Sequence, residues 1–301
     1  MTGGFLYVFM TPLYASVSDM YEGPQLATTV GSINACMGGG MVFGGLLGGA
    51  LGPKNSFLFA GAVFAFVFCY INAYMEETLP PLAPGEEPPE ISFASVNPLR
   101  FLALFRSRIL GLLSAEYALQ SLGDYAVIYD TNFMYTSHTL GWGGLEVGRL
   151  ASAFGASQML GREWCEYSIS QFGIQMHTLL SNVCTVVAFT LFGNATSTLQ
   201  VGMVLAIGTF MHQRSAGVNS TIVKHATHKN RMGRAEVQGA LANLVALVKI
   251  IAPIVYSRAF VYTTSAGRNM PGSPYFIVAG AACAAQLLDW QVTASDRQNP
   301  E

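Results

Sequence analysis

The chain is a succession of long apolar runs separated by short polar breaks. Nine such runs occupy residues 5–17, 29–51, 57–75, 109–129, 147–169, 177–192, 201–223, 235–260 and 275–290. A helix rises 1.5 Å per residue, so about 20 apolar residues cross a hydrocarbon layer of roughly 30 Å. Barrel strands need only about ten residues and alternate in polarity, which these runs do not do. The pattern therefore predicts an all-α integral membrane protein with about nine transmembrane helices.

The longest hydrophilic interval, residues 76–107, is rich in proline and glutamate, a composition that suits an extended tether better than a packed core. It divides the chain into a three-span unit at 1–75, a cytoplasmic linker at 76–107, a six-span unit at 108–292 and a cytoplasmic tail at 293–301. Six spans after the linker imply that the first unit is the remnant of an equal one. Orientation follows from loop charge, because cytoplasmic loops retain Lys and Arg. One alternate set of loops carries Arg100, Arg106, Arg108, Arg162, Lys224, Lys229, Arg231, Arg234 and Arg297; the other carries only Lys54, Arg258 and Arg268. The first set is assigned to the cytoplasm. Asn194-Ala195-Thr196 then lies on the opposite side, as a candidate glycosylation sequon.

Composition strengthens the membrane reading and removes others. Hydrophobic residues make up 51% of the 301-residue chain and charged residues only 11%, against roughly a quarter in soluble domains. The net charge of -2 provides no field to attract nucleic acid. The five cysteines stand singly, without a CxxC pair, so they indicate neither a disulfide framework nor a zinc site and read as small buried hydrophobes. His225 and His228 fall in the basic loop, where two histidines alone make a poor metal site. Gly52-Pro53-Lys54-Asn55-Ser56 lacks the contiguous Gly-Lys-Ser of a phosphate loop. No metal or cofactor is called for.

Ionisable groups within spans cost several kcal/mol when unpaired, so each is a candidate for function. Glu116, Gln120, Gly123 and Asp124 share one broad helical face, with Glu116 as the best-placed proton acceptor and Asp124 nearer headgroup level among Tyr125, Tyr129 and Tyr135. The alternative for Glu116 is a static ion pair. Arg149 and Gln158 lie on the next span, where Arg162 and Glu166 at i and i+4 form a local pair. His212, Arg214 and Lys249 sit mid-span further on, Arg214 and Lys249 as complements to Glu116, as anion ligands, or as snorkelling side chains. Gly40, Gly44 and Gly48, with Gly45 and Gly49, form stripes at a spacing of four that permit close helix approach.

Several of these motifs resemble a known family. Asp19, Gly31-Ser32-Ile33-Asn34-Ala35-Cys36 and the Gly40–Gly49 run are similar to spans four and five of major facilitator superfamily carriers, especially tetracycline-efflux-type proton antiporters. Gly45 stands where the antiporter signature has proline. Glu76-Glu77-Thr78-Leu79-Pro80 looks like the end of span six, Asn97-Pro98-Leu99 like the start of the second half, and Ser152-Ala153-Phe154-Gly155 suits span eight. Glu236-Val237-Gln238-Gly239-Ala240-Leu241-Ala242-Asn243, running to Pro253, resembles span eleven. The resemblance implies a partial major facilitator fold comprising family spans four to twelve, with Asp19 in a gating or charge-relay position at the cytoplasmic end of span four.

The function implied is transport of a small organic solute by alternating access, coupled to protons and directed to drug or metabolite efflux. Its partners are that solute, protons and the lipid bilayer, in a membrane that the sequence does not identify. The rival reading is a non-transporting scaffold or receptor, or an inactive truncated paralogue; no nucleophile–base set or cofactor motif supports an enzyme. The loop-charge bias makes a direct prediction. Single cysteines placed between Lys224 and Arg234 are expected to react with impermeant reagent only from the cytoplasmic side, and a cysteine at Asn194 only from the other. Labelling of both from one side would reverse the assignment.

Overall fold

A computed structural model describes residues 10–74, 98–228, 232–265 and 269–292, and among these the regular elements are all helical. In chain order they are α1 (Met10–Met20), α2 (Gly23–Tyr74), a 3-10 helix (Pro98–Phe105), α3 (Arg108–Ser121), α4 (Tyr125–Leu140) and α5 (Gly144–Gly193). There follow α6 (Thr198–Gly208), α7 (Arg214–His228), α8 (Arg234–Ser265) and α9 (Ser273–Trp290).

Two of these helices are each a pair of spans joined at one glycine. Gly52 (φ 71°, ψ 167°) divides α2, and Gly173 (φ 79°, ψ 169°) divides α5. Both dihedral pairs lie in a region that only glycine occupies readily, so a single residue replaces a loop. Conversely, two predicted spans are each a pair of helices. The run at 109–129 is α3 followed by α4, and the run at 201–223 is α6 followed by α7. Ser107 starts α3 by accepting from the Leu110 amide at 3.4 Å, and Ser197 starts α6 by accepting from the Gln200 amide at 3.4 Å. Gly141 ends α4 in the left-handed conformation (φ 66°).

The outside of the molecule is apolar, as a lipid-facing surface must be. The second limb of α2 exposes Phe57, Leu58, Phe64, Phe66 and Phe68, while Ile250, Ile254 and Leu287 do the same on α8 and α9. Inside, one apolar cluster built on Leu26, Leu104, Leu113, Ile222 and Leu241 fills the end nearer Arg234. Another, built on Ile128, Tyr135, Phe189, Tyr256 and Tyr275, fills the end nearer Ala195.

The first unit, α1 and α2, packs on the rest through α2 against α5, α2 against α7 and α1 against α8. At the α2–α5 seam the backbones approach closely. A Cβ on Gly38 would lie 2.5 Å from the Gly155 carbonyl, one on Gly155 would lie 2.5 Å from the Gly38 carbonyl, and one on Gly45 would collide with Ser152 Oγ. A Cβ on Gly40 or Gly44 would meet open space among the described residues. The close approach thus runs through Gly38 and the expected Gly45, seven residues apart and so on one face after two turns, and not through Gly40 and Gly44. The surroundings of Gly48 and Gly49 lie outside the described residues.

Other sequence expectations are corrected by burial. Cys165 is buried, but Cys36, Cys69 and Cys283 are exposed, because an apolar thiol is as well placed against lipid as inside. His225 is 2% exposed within α7 rather than in a solvated loop. Tyr135 is also buried and donates to the Ala195 carbonyl at 2.8 Å, so it is a core residue and not an interfacial anchor. Of the expected linker, residues 98–105 form the 3-10 helix, with Leu104 fully buried and Arg100 paired to Glu236 at 3.0 Å. Residues 76–97 and the tail at 293–301 lie outside the described residues, as do residues 5–9 of the first predicted span.

The seam predicts a contrast between glycines. Gly38→Ala is expected to lower thermal stability in detergent by about 1–3 kcal/mol through overpacking. Gly44→Ala is expected to be neutral or slightly stabilising, because alanine is the better helix former by roughly 0.5–1 kcal/mol. Equal melting temperatures for the two variants would refute the assignment of the seam.

Candidate solute site between the two helical units

The site is built where two broken spans cross. Residues 108–140 have residue 124 at their midpoint, and α3 gives way to α4 across Leu122, Gly123 and Asp124. Residues 198–228 have residue 213 at theirs, and α6 gives way to α7 across residues 209–213. Asp124 therefore lies at the midpoint of the α3–α4 pair. Gly123 leaves no room for a side chain, since a Cβ there would lie 2.9 Å from Val278 Cγ1 and 3.1 Å from Arg214 Nη2.

Breaking a helix in an apolar medium leaves carbonyls that need donors. At the first break the Asp124 amide donates to Ser121, at 3.1 Å, so the Gln120 carbonyl loses its α-helical partner and keeps only the Gly123 amide, at 3.3 Å. Arg214 adds to this, donating through Nε at 3.0 Å and Nη2 at 2.5 Å. The same guanidinium donates through Nη1 to the Met211 carbonyl of its own break at 3.1 Å, and through Nη2 to Asp124 Oδ1 at 2.8 Å. Tyr256 on α8 donates to the Leu122 carbonyl at 2.9 Å. Arg214 is only 3% exposed, whereas the Asp124 side chain is 37% exposed. Lys249, also on α8, interacts electrostatically with Asp124.

The second break is held equally. His212 shares a hydrogen bond of 2.7 Å with Ser157 and stands edge-on to the Phe154 ring at 4.5 Å. His177 lies between Ser168 Oγ, at 2.6 Å, and the Gln213 carbonyl, at 3.2 Å. A Cβ on Gly161 would come within 2.8 Å of the Thr209 carbonyl, so the break rests directly on α5.

A cavity of about 180 Å³ opens beside these groups. It is lined from the first unit by Tyr14, Val30, Asn34, Met37 and Met41, and from the second by residues including Asp124, Phe154, Gln158, His212, Arg214 and Gln238. Its size is below the roughly 300–1,000 Å³ of pockets for drug-sized ligands, which suits a small solute.

Four of the sequence candidates, Asp124, Gln158, His212 and Arg214, come together at this cavity. Glu116 and Gln120 do not line it. They are buried within the second unit in a series of hydrogen bonds: Gln120 Nε2 donates to Glu116 Oε1 at 3.2 Å and to Asn182 Oδ1 at 3.1 Å, and Asn182 donates to Gln286 at 3.0 Å. Gln286 in turn donates to Asp289 at 3.2 Å. Arg149 is exposed near the start of α5, away from the cavity lining, and Asn194 is exposed at the end of α5, donating to the Thr190 carbonyl at 2.7 Å. Arg162 pairs with Glu166 at 3.5 Å, as the i, i+4 spacing implies, and also with Glu163 at 2.6 Å.

Around Asp19 the structure adds a partner that its position in sequence could not reveal. Arg234, at the start of α8, donates to the Ser18 and Asp19 carbonyls at 2.5 and 2.9 Å and pairs with Glu22. It is thus the backbone at Asp19, at the carbonyl end of α1, that meets a cation.

The family model described as Major Facilitator Superfamily matches residues 1–253, and the chain belongs to that family. It is accordingly a multi-pass membrane protein. The fold is similar to the crystal structure of the human organic anion transporter MFSD10 (TETRAN), with a TM-score of 0.68 and 20% sequence identity over 92% of this chain. The match takes in 66% of that chain.

The clamp at the two breaks has a measurable weight. Arg214→Gln is expected to reduce thermal stability by about 1–3 kcal/mol, the penalty for leaving buried polar groups unmatched. Tyr256→Phe, which removes one hydroxyl donor, is expected to cost about 0.5–1.5 kcal/mol. An Arg214→Gln protein melting with the parent would show that the guanidinium does not hold the breaks.

Proposed function

We propose that the protein carries a small organic anion across the membrane by alternating access, the two helical units rocking around the mid-span cavity. The observation that carries this reading is the Arg214–Asp124 pair at the cavity, with Lys249 acting on the same carboxylate. Arg214 lines the cavity, and Lys249, outside the lining, acts on the same carboxylate at longer range, so the local field favours a negative solute. The likeness to an organic anion transporter supports the same class. Drug or metabolite efflux, the opposite direction to entry, has only the resemblance of the glycine-rich and Glu236–Asn243 motifs to tetracycline-efflux-type carriers in its support.

Proton coupling follows in this reading from competition for Arg214. A solute anion that engages the guanidinium leaves the Asp124 carboxylate short of counter-charge, and binding a proton removes that charge. Anion and proton then enter together, which is cotransport rather than the exchange implied by the antiporter resemblance. Asp124, facing the cavity, takes the role for which sequence position favoured Glu116. Glu116 instead orients Gln120, whose carbonyl Arg214 grips.

Reconstituted liposomes test this with benzenesulfonate, a permanent anion that does not cross lipid as a neutral acid. Uptake is expected to be stimulated by an external acid gradient, to lose that stimulation in Asp124→Asn, and to be lost in Arg214→Gln. Glu116→Gln is expected to retain the stimulation. Gradient-stimulated uptake in Asp124→Asn would remove Asp124 from the coupling role, and uptake of benzyltrimethylammonium in place of the sulfonate would overturn the anion reading.

A further inference from the structure

We infer that the cavity has a second recognition subsite, the Asn219–Gln238 amide pair, which takes a neutral hydroxyl of the solute as acceptor and donor at once. The inference rests on the anion-carrier reading, because it concerns the far end of the same ligand.

Asn219 on α7 and Gln238 on α8 both line the cavity, as does Arg214. They are 2% and 3% exposed, and Gln238 Nε2 donates to Asn219 Oδ1 at 3.0 Å. Two primary amides can close a ring of two such bonds, because each carries a donor and an acceptor. Here the reciprocal bond, from Asn219 Nδ2 to Gln238 Oε1, is not formed. The pair is half closed, and one donor and one acceptor are left side by side without a hydrogen bond among the described residues. Turning both amides over would exchange the two roles and still leave one of each.

A polar group at a cavity wall bonds to whatever fills the cavity, and a solute that displaces water there without reproducing its hydrogen bonds binds more weakly. A hydroxyl reproduces both: its oxygen accepts from Asn219 Nδ2 while its proton goes to Gln238 Oε1, which completes the ring. Arg214 and the amide pair border one cavity of about 180 Å³, a space small enough for one compact solute to meet both. Val30, Met37, Leu241 and Val245 give that cavity its apolar lining. The solute so defined is a compact monoanion with an apolar body and one neutral hydroxyl. Discrimination of this kind is sharp, because a site built to bond a hydroxyl penalises the analogue that lacks it.

Equilibrium binding to the purified chain in detergent, measured by calorimetry, tests the subsite with benzenesulfonate, 4-methoxybenzenesulfonate and 4-hydroxybenzenesulfonate. The hydroxylated probe is expected to bind about five times more tightly than benzenesulfonate, the worth of one hydrogen bond of ordinary strength. The methoxy probe, which accepts but cannot donate, is expected to gain less. In Asn219→Ala and in Gln238→Met the advantage of the hydroxyl is expected to fall toward one, whatever the absolute affinities. A merely structural role would weaken all three probes alike and leave the ratios unchanged, and that result would overturn the subsite while leaving the anion reading intact. Equal binding of the hydroxy probe and either of the others by the parent would do the same. Binding of none of the sulfonates would overturn the anion reading and the subsite with it. The two substitutions lie on different helices, so either one decides the matter should the other fail to fold.

Discussion

A backbone that stops being helical in the middle of a membrane must find donors for its carbonyls, and in this protein one side chain supplies them for two breaks at once. Arg214 reaches the Gln120 carbonyl of one broken span and the Met211 carbonyl of the other, and spends the rest of its guanidinium on Asp124. The planar fork of arginine can do this; a lysine ammonium offers three donors from one point and would not span the same acceptors. The arrangement explains why a permanent cation is tolerated at 3% exposure in an apolar bundle. It also places the only partly exposed member, the Asp124 carboxylate, where the cavity begins. Structural requirement and candidate chemistry therefore share one group, and a ligand that competes for it acts on the geometry of both spans.

The two helical units meet in two different ways. Along α2 and α5 the contact is close backbone packing at Gly38, Gly45 and Gly155, a surface that resists separation but permits one helix to pivot on the other. At the Arg234 end the contact is polar, with Arg234 bridging to α1 and Ser220 donating to the Gly23 carbonyl at 2.6 Å. The Arg234–Glu22 pair is partly exposed, whereas Ser220 is only 1% exposed and the glycine seam is close backbone contact.

The sequence made the number and kind of spans legible because hydropathy over some twenty residues is a strong, local signal. It also identified the costly groups, and Asp124, Gln158, His212 and Arg214 do converge. What it missed depends on contacts distant in the chain. Only Gly208, the last residue of α6, hints at a break, since neither glycine nor proline lies within 209–213, and the placement of Arg214 across from Gln120, 94 residues away, makes it affordable. The different placement of Glu116 and Asp124 was likewise hidden. Both are acids on one predicted helix, and the break at Leu122–Asp124 turns one toward the cavity while the other stays within the bundle. The glycine stripe was read by spacing of four, but the seam uses a spacing of seven, because which of several glycine-bearing faces meets a neighbour is a property of the neighbour.

The burial of α7 bears on how the protein comes to be made. This helix carries Arg214, Asn219, Ser220, Thr221 and His225 among its buried residues, and little of it is suited to contact with lipid. An arginine at the centre of an inserting helix costs about 2.5–3.5 kcal/mol on its own. The acceptors that offset that cost, the Gln120 carbonyl and Asp124, belong to a span synthesised earlier. The α6–α7 pair therefore depends on contacts with the earlier-synthesised α3–α4 pair rather than on lipid.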